Sequence, residues 1–328
     1  MSRAVIAAIA YHLPEQRLTN ELLAAEFPEW GAEKIAEKTG IQTRHIAAKG
    51  ELSSDLATAA ANKLFATGVV RPQDIDFVLL CTQTPDFALP TTACLLQHRL
   101  GIPTTAGAFD FNLGCSGFVY GLSLAKGLIE TGQARRVLLL TAETYSKLLD
   151  PADKTVRTIF GDAGAATLVV ADEEAKDECI GPFAFGTNGE GGPNLVCHRG
   201  GFRGATAEAT GRDALWMNGP EIFNFTLKVV PDVVQRLLAK AGLKQGDVDL
   251  FVFHQANRYM LEHLRKKLGV PSEKFVVAME HSGNTVSCTI PIALHAAQTA
   301  GQLRPGARVM VVGFGVGYSW GGALVRWA

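Results

Sequence analysis

The stretch Phe109-Asp-Phe-Asn-Leu-Gly-Cys115-Ser-Gly117 joins an apolar run typical of a strand to an apolar run typical of a helix. Its single thiol, Cys115, lies on a short turn between two glycines. The apolar residues from Phe118 to Ile129 recur at three-to-four spacing, which predicts a helix that begins at this turn. Free N–H groups at a helix start favour a thiolate, so we expect a lowered pKa and a nucleophile at Cys115. Alternatively, a lone cysteine at such a junction packs as a small buried residue.

The composition indicates a globular chain with two core-bearing halves. It has 328 residues, of which 47% are hydrophobic and 19% charged, and its formal net charge is −1. This near-neutral balance gives no global electrostatic argument for a nucleic-acid partner. The six cysteines contain no CxxC pair, so we expect neither a metal site nor a disulfide framework, and reduced thiols in the cytoplasm.

Two apolar stretches resemble membrane or targeting segments but fit strands better. The run from Ala4 to Tyr11 is short for a signal peptide and has no small-residue cleavage pattern after it, so we predict a first strand. The weakly charged stretch between Arg308 and Arg326 is interrupted by glycines and is too short to span a bilayer. We predict two strands joined by a turn there, and no membrane partner.

An internal repeat divides the chain. Asp76 and Asp249 each precede a buried-strand pattern and are 173 positions apart, while Arg136 and Arg308 each precede another such run and are 172 apart. Two matches at nearly one offset predict duplicated α/β halves, residues 1–172 and 173–328. If the halves pack about a pseudo-twofold axis, the Cys115 turn faces the region around residue 287.

Two further polar side chains are expected to converge on Cys115. His254 follows the predicted strand Leu250-Phe-Val-Phe253, and Asn284 lies in a glycine-punctuated run after it. Taken singly, a structural histidine and a turn-forming asparagine explain these residues. Their joint occurrence with Cys115 at strand-to-loop junctions favours a common site.

Five motifs, in this order, resemble 3-oxoacyl-[acyl-carrier-protein] synthase III of the thiolase superfamily. They are Asn112-Leu-Gly-Cys115-Ser-Gly117-Phe, Phe160-Gly-Asp-Ala-Gly-Ala-Ala166, His254-Gln-Ala-Asn257, Gly283-Asn284-Thr and Gly313-Phe-Gly-Val-Gly-Tyr-Ser-Trp-Gly-Gly-Ala-Leu-Val-Arg326. The resemblance runs from about Thr39 to the C-terminus. It implies a thiolase fold, five layers αβαβα built from two duplicated halves, a homodimer, and a catalytic triad at Cys115, His254 and Asn284.

The same resemblance implies a reaction. An acyl thioester, typically acyl-CoA, acylates Cys115, and decarboxylative Claisen condensation with malonyl-acyl carrier protein follows. The N–H groups of Cys115 and Val316 form the oxyanion hole, while His254 and Asn284 bind the malonyl thioester oxygen. Removing His254 or Asn284 is expected to spare acyl transfer more than condensation. No permanently bound cofactor is implied.

The substrate residues depart from the family pattern. Trp30, Lys38 and Lys154 are the nearest matches to a Trp and two Arg residues that clamp the CoA nucleotide, and a lysine cannot reproduce a planar arginine fork. Leu89 takes the place of a Phe that closes the acyl tunnel from the partner subunit, so a longer or branched primer is one expectation and an ordinary core leucine the other. Asn257 and Phe314, within the motifs above, are assigned to substrate binding.

The helix predicted after His254 is a candidate docking surface for the acidic carrier protein. Its basic residues are Arg258, Arg265, Lys266 and Lys267. A solvated helix face whose cations complement the helix dipole is the alternative.

Several functions remain as alternatives. A related acyltransferase would pass the acyl group to another nucleophile without decarboxylation. Hydroxymethylglutaryl-CoA synthases need an additional Glu base, and Gln83 occupies approximately that place. A cysteine peptidase does not explain the duplication or the terminal glycine motif, and a non-catalytic subunit does not explain why all three triad residues are present. The primer, the donor thioester and the pathway stay open.

Overall fold

The computed structural model describes residues 2–202 and 213–328. The strands in these ranges are β1 (Arg3–His12), β2 (Gln16–Thr19), β3 (Thr43–Ile46), β4 (Phe77–Cys81), β5 (Gly107–Phe111), β6 (Arg136–Glu143), β7 (Ala163–Asp172), β8 (Ile180–Thr187), β9 (Leu195–Val196), β10 (Trp216–Met217), β11 (Leu250–Phe253), β12 (Arg308–Gly315) and β13 (Ser319–Arg326). The α-helices are α1 (Asn20–Glu26), α2 (Ala32–Thr39), α3 (Ser53–Ala66), α4 (Thr92–Arg99), α5 (Gly117–Glu130), α6 (Lys154–Arg157), α7 (Gly219–Ala241), α8 (Arg258–Leu268) and α9 (Thr289–Thr299).

Two sheets have the same strand plan. The first has the order β1-β7-β6-β4-β5, and the second has the order β8-β13-β12-β11. In both sheets neighbouring strands pair in parallel, β4 with β5 and β6 in the first and β11 with β12 in the second, and the following strands, β7 and β13, are antiparallel to their neighbours. Each sheet takes its strands from one side of residue 172. The division into duplicated halves stays a prediction, which this topology supports.

The sheets and helices form five layers. Helices α3 and α4 cover the outer face of the first sheet, α5 and α9 lie between the two sheets, and α7 and α8 cover the outer face of the second. This is the αβαβα arrangement that the resemblance implied. The strands β1, β12 and β13 and the helix after Cys115 also form where the sequence predicted them.

The repeated aspartates have the same structural role in both halves. The Asp76 carboxylate accepts the backbone N–H groups of Arg135 and Arg136, each at 2.8 Å. The Asp249 carboxylate accepts the N–H of Arg308, also at 2.8 Å. Each aspartate therefore joins the starts of two neighbouring parallel strands, β4 with β6 and β11 with β12, at the exposed edge where these strands begin.

Helix α5 packs closely on the first sheet because its sequence provides a small residue where the two elements meet. A Cβ atom at Gly121 would lie 2.6 Å from a methyl group of Leu139 in β6. Phe118, Val119 and Leu122 are fully buried around this contact. The helix start, and the thiol before it, are thereby fixed relative to the sheet.

None of the helices in the described ranges combines the length and hydropathy needed to cross a membrane.

Candidate active site

Cys115 lies on the turn between β5 and α5, as the sequence predicted. The N–H groups of Cys115 itself and of Val316 contact its sulfur. Gly315 also borders it closely, because a Cβ atom there would lie 2.9 Å from Sγ. Two backbone N–H donors therefore lie beside this sulfur.

The expected lowering of the Cys115 pKa is wrong for the resting site. The side chain is only 7% exposed, and this burial raises its pKa to about 12. The nearby Glu143 carboxylate raises the pKa further, and the two N–H groups lower it without reversing the shift. Desolvation of a thiolate outweighs two hydrogen bonds here. The thiol therefore stays protonated until a substrate reacts with it.

Cys115, His254 and Asn284 line one cavity of about 140 Å³. They reach it from the β5–α5 turn, from the end of β11 and from the loop before α9. The rest of the lining is largely apolar and includes Phe160, Ile222, Met260, Phe314 and Asn257. The convergence expected from the repeat is therefore present in the fold, and the apolar lining strengthens hydrogen bonds to a developing charge.

His254 is held as a neutral imidazole. Its backbone N–H bonds the carbonyl of Val312 at 2.8 Å, and its Nδ1 lies 2.7 Å from the hydroxyl of Thr289. The ring of Phe314 meets it edge-to-face at 5.5 Å. Burial lowers the pKa of His254 to about 3. At neutral pH the ring therefore acts as a neutral hydrogen-bond donor or acceptor.

Asn284 is locked to the first half by backbone hydrogen bonds. Its N–H donates to Ile159 at 2.9 Å, and its carbonyl accepts from Gly161 at 3.0 Å. Its side-chain Oδ1 accepts the N–H of Val286 at 2.9 Å. Since the oxygen is occupied, the Nδ2 amide group is left to donate towards the cavity.

The residue that orients Asn284 has an unusual backbone. Val286 has φ 56° and is the sole non-glycine residue with positive φ within residues 2–202 and 213–328. A β-branched side chain in this region costs about 1–3 kcal/mol, and such strain is concentrated at functional sites. Its N–H reaches Asn284 in this conformation, and its carbonyl accepts the hydroxyl of Thr289 at 2.9 Å.

Glu143 is the functional candidate that sequence reasoning missed. It is fully buried at the end of β6, where Oε1 accepts from the Ser287 hydroxyl at 2.8 Å and Oε2 accepts from the N–H of Gln83 at 3.0 Å and the hydroxyl of Thr84 at 3.1 Å. Burial raises its pKa to about 8. The sequence contained one signal for Glu143, since it is an acidic residue at the end of an apolar run typical of a strand. An ionisable group is rarely buried without a role.

Gln83 packs against the turn that carries Cys115. Its Oε1 accepts the hydroxyl of Tyr145 at 2.8 Å. The same oxygen would lie 2.4 Å from a Cβ atom at Gly114, so the turn before Cys115 rests against it. The place where hydroxymethylglutaryl-CoA synthases need a Glu base is therefore occupied by the hydrogen-bonded side-chain amide of Gln83.

Two buried charged residues hold the loops around the cavity. Asp162 accepts the N–H groups of Ala47 at 2.7 Å and Ser146 at 2.8 Å, so it joins two loops to β7. Arg44 is fully buried, and its Nε donates to the Thr158 carbonyl at 2.9 Å. Asp162 and the Thr158 carbonyl flank Ile159 and Gly161, whose backbone bonds Asn284.

The three residues assigned to the CoA nucleotide form a cluster outside the cavity lining. Lys38 Nζ lies 4.9 Å and Lys154 Nζ 5.7 Å from the centre of the Trp30 ring, with Lys34 at 5.8 Å. These distances are typical of cation–π contacts. Lys154 also pairs with Glu29, which neutralises part of the cluster's charge.

The remaining assigned residues have different environments. Leu89 is 81% exposed, so it is neither core nor a wall of its own chain's cavity. Asn257 lines the cavity and also caps α8, since it accepts the Met260 N–H at 2.8 Å. On α8, Arg258 pairs with Glu280 at 3.3 Å and Arg265 with Glu262 at 2.7 Å, while Lys266 and Lys267 are exposed.

Within residues 2–202 and 213–328, no group of three or more His, Cys, Asp or Glu side chains is arranged to hold a metal ion.

Family models match both halves of the chain. Residues 109–189 match the model for 3-oxoacyl-[acyl-carrier-protein (ACP)] synthase III, and residues 238–327 match the model for its C-terminal part. The first match contains Cys115, and the second contains His254 and Asn284.

Full-length relatives agree with this match. Beta-ketoacyl-[acyl-carrier-protein] synthase III 2 of Halalkalibacterium halodurans is 38% identical over 100% of this chain and 97% of its own length. The enzyme of the same name from Bacillus subtilis strain 168 is 38% identical over 100% of this chain and 99% of its own length. A 2.1 Å crystal structure of a 3-oxoacyl-(acyl-carrier-protein) synthase III is 57% identical, with a TM-score of 0.96, over 99% of this chain and 100% of that one.

Proposed function

The chain belongs to the 3-oxoacyl-[acyl-carrier-protein] synthase III family, and from that membership we propose that Cys115, His254 and Asn284 perform its reaction. The enzyme is an acyltransferase that joins an acyl-CoA to malonyl-acyl carrier protein by decarboxylative Claisen condensation. The observation that carries the residue assignment is the single cavity lined by all three side chains.

In the first half-reaction the Cys115 sulfur attacks the thioester carbon of the acyl donor. The thiol proton leaves as the new bond forms, and the neutral ring of His254 is a base that lines the same cavity. The N–H groups of Cys115 and Val316 stabilise the tetrahedral oxyanion. Collapse expels the donor thiol, which takes up a proton, and leaves acyl-Cys115.

In the second half-reaction the malonyl thioester loses its carboxylate as carbon dioxide. The electron pair of the broken bond moves to the α-carbon and the thioester oxygen, where His254 and the Asn284 amide donate hydrogen bonds. The resulting enolate attacks the acyl carbon, and the Cys115 thiolate leaves and is protonated. Donors that act only on this developing charge accelerate condensation more than acyl transfer.

The two half-reactions provide the test. Acyl-enzyme is prepared by incubation with acyl-CoA and is then chased with malonyl-carrier protein while released carbon dioxide is counted. We expect His254→Ala and Asn284→Ala to lose about a hundredfold or more in carbon dioxide release and about tenfold or less in acylation. Acylation of wild-type enzyme without carbon dioxide release in the chase would instead favour an acyltransferase that uses another nucleophile.

We propose further that the enzyme is a homodimer in which Leu89 closes the partner's acyl pocket. Leu89 and Phe87 lie exposed on one loop, and β5 is an unpaired edge of the first sheet within the described residues. Such an edge and an apolar loop need cover. Leu89→Phe is then expected to shift chain-length preference towards short acyl groups, and an unchanged preference would contradict this role.

The exposed basic groups fit the two carriers of this reaction. Trp30, Lys38 and Lys154 provide a ring and cations for the CoA nucleotide, and Lys266 and Lys267 provide free charge on α8 for the acidic carrier protein. Arg258 and Arg265 already pair with glutamates, so they contribute less free charge. We also propose that the enzyme is cytoplasmic, needs no permanently bound cofactor and has no membrane or nucleic-acid partner.

A further inference from the structure

The hydroxyl of Thr289, the first residue of α9, lies between two hydrogen-bond acceptors. Its Oγ1 is 2.9 Å from the carbonyl oxygen of Val286 and 2.7 Å from Nδ1 of His254. A threonine hydroxyl has a single proton and can donate it to one of them at a time. The Val286 carbonyl also bonds the His254 ring, so the direction of the Thr289 bond acts together with that carbonyl to set which nitrogen of the neutral ring carries the hydrogen.

The two hydroxyl orientations give Nε2 of His254 opposite hydrogen-bonding roles in the cavity. When Thr289 donates to Val286, its oxygen accepts from Nδ1–H, so Nε2 is an unprotonated acceptor. When Thr289 donates to Nδ1, the ring hydrogen is on Nε2, which becomes a donor. The first arrangement satisfies both the Val286 carbonyl and the ring, so we expect it in the resting enzyme.

The proposed reaction needs both arrangements. Acylation requires a base for the Cys115 proton, whereas condensation requires a donor to the malonyl thioester oxygen. We propose that Thr289 is a positioning residue whose hydroxyl turns between Val286 and His254, so that neutral His254 changes tautomer between the half-reactions. In this change Nε2 gains one proton and Nδ1 loses one, both exchanged with water, so the ring keeps no net charge. This inference rests on the proposed roles of Cys115, His254 and Asn284.

The backbone around Thr289 is arranged for a hydroxyl that turns between these two partners. The left-handed φ of Val286 directs its N–H to Asn284 and its carbonyl to Thr289, so one strained residue orients both partners of the thioester oxygen. Thr289 also begins α9, and the positive end of a helix disfavours an imidazolium beside it. A ring kept neutral in this way works through its tautomer, as in other enzymes that use an uncharged histidine as a donor.

Three variants isolate the hydroxyl. Thr289→Val removes it at nearly constant volume, Thr289→Ser keeps it, and Thr58→Val removes a buried hydroxyl that bonds only within α3. In Thr289→Val the Val286 carbonyl remains bonded to the ring, and we expect it to keep the hydrogen on Nδ1. We expect carbon dioxide release to fall about ten- to hundredfold, acylation to change less than about threefold, and Thr289→Ser to retain most of both rates.

The tautomer is observed directly by ¹⁵N NMR of histidine-labelled enzyme, with the His254 signals identified by their loss in His254→Gln. We expect Nδ1–H in resting wild-type enzyme and Nε2–H in acyl-enzyme that holds a non-decarboxylating malonyl thioester analogue. In Thr289→Val we expect Nδ1–H in both. Because the wild-type spectra need no variant at Thr289, a folding defect in Thr289→Val leaves the test intact.

One wild-type tautomer in both states, or equal losses of acylation and condensation in Thr289→Val, would overturn the inference. Either result leaves the proposed function standing if wild-type enzyme still forms acyl-Cys115 and releases carbon dioxide. Absence of an acyl-enzyme in the wild type would remove the proposed function itself.

Discussion

The turn around Cys115 and the surface around Trp30 are built in opposite ways. A Cβ atom at Gly313 would lie 2.6 Å from the Cys115 carbonyl oxygen and 2.7 Å from the Cα of Ser116, so backbone meets backbone there. Gly31, next to Trp30, has nothing within 4 Å of its Cβ position. The turn around Cys115 is therefore held by packing that admits no extra atom, whereas the surface around Trp30 has open space beside its backbone.

The polar groups of the two regions differ in the same way. Glu143 and Asn284 are buried; Glu143 bonds Ser287 from the second half, and the backbone of Asn284 bonds Ile159 and Gly161 from the first half. Lys38 and Lys154 are surface cations around one ring, and Lys154 already has a partner. Buried, fully paired groups are costly to disturb, while exposed charges contribute little individually. Variants of the Cys115 turn are therefore expected to have larger effects than variants of the Trp30 surface.

The largest effect is expected from adding one methyl group near the nucleophile. Gly313→Ala must move the Cys115–Ser116 backbone, so we expect it to lower the free energy of unfolding by about 3 kcal/mol or more and to abolish measurable acylation. Gly31→Ala meets open space at an ordinary φ of −61°, and because Gly31 is the N-cap of α2 it should lower stability by about 1 kcal/mol or less. Chemical denaturation of both variants measures the contrast, and equal losses would contradict it.

A smaller effect is expected from the charge of Glu143. Its pKa is about 8 in the folded protein against an ordinary 4.5, so between these values the folded state binds a proton that the unfolded state has lost. Its stabilising contribution is present below pH 4.5 and is lost as the pH rises towards 8. Glu143→Gln keeps the shape and removes the titration.

We therefore expect wild-type enzyme to lose about 2 kcal/mol more than Glu143→Gln in the free energy of unfolding between pH 6 and 8. Urea denaturation across this range measures the difference. Parallel pH profiles for the two proteins would show that the carboxyl is ionised in the folded state throughout.

A kinetic effect of less than 1 kcal/mol is expected at each surface cation. Lys38→Ala and Lys154→Ala should each raise the KM for acyl-CoA about two- to fivefold, leave kcat unchanged and have no effect on acyl-pantetheine, which lacks the nucleotide. Lys63→Ala is the control, since Lys63 is an exposed lysine that bonds the Tyr11 carbonyl. A change in kcat, or an equal effect on both donors, would contradict a nucleotide role.

The smallest effect is expected on α8. Charge reversal at Lys266 and Lys267 should lower kcat/KM for malonyl-carrier protein about two- to threefold at low salt, because steering by exposed charge is screened by ions. A small malonyl thioester should be unaffected, and Lys244→Glu, an exposed lysine outside α8, serves as the control. Loss of activity with the small thioester would point to a structural role for these lysines.

The sequence was sufficient for the parts of the site that depend on local pattern. Cys115 comes directly before a helix, His254 follows a buried strand and Asn284 lies beside a glycine, and each of these features is visible within about ten residues. The repeat then predicted that the three loops meet. Short-range pattern and one duplication therefore account for the three residues that line the cavity.

The remaining features depend on contacts between distant residues. Glu143 acquires its environment from Ser287, 144 positions away, and His254 meets Thr289, 35 positions away. The raised pKa of Cys115 likewise comes from burial by several elements, so local helix geometry predicted the wrong direction. The sequence also left undecided whether Leu89 is exposed or buried, because a leucine in a loop can face either the solvent or the core.

The most direct measurement of the central claim is peptide mapping by mass spectrometry after incubation with a panel of acyl-CoAs. The described cysteines are all free, so Cys81, Cys94, Cys179, Cys197 and Cys288 serve as internal controls. We expect a single acyl adduct on Cys115, although burial raises its pKa to about 12, and its disappearance in Cys115→Ala. Acylation of another cysteine in place of Cys115, or no adduct with any donor, would contradict the account.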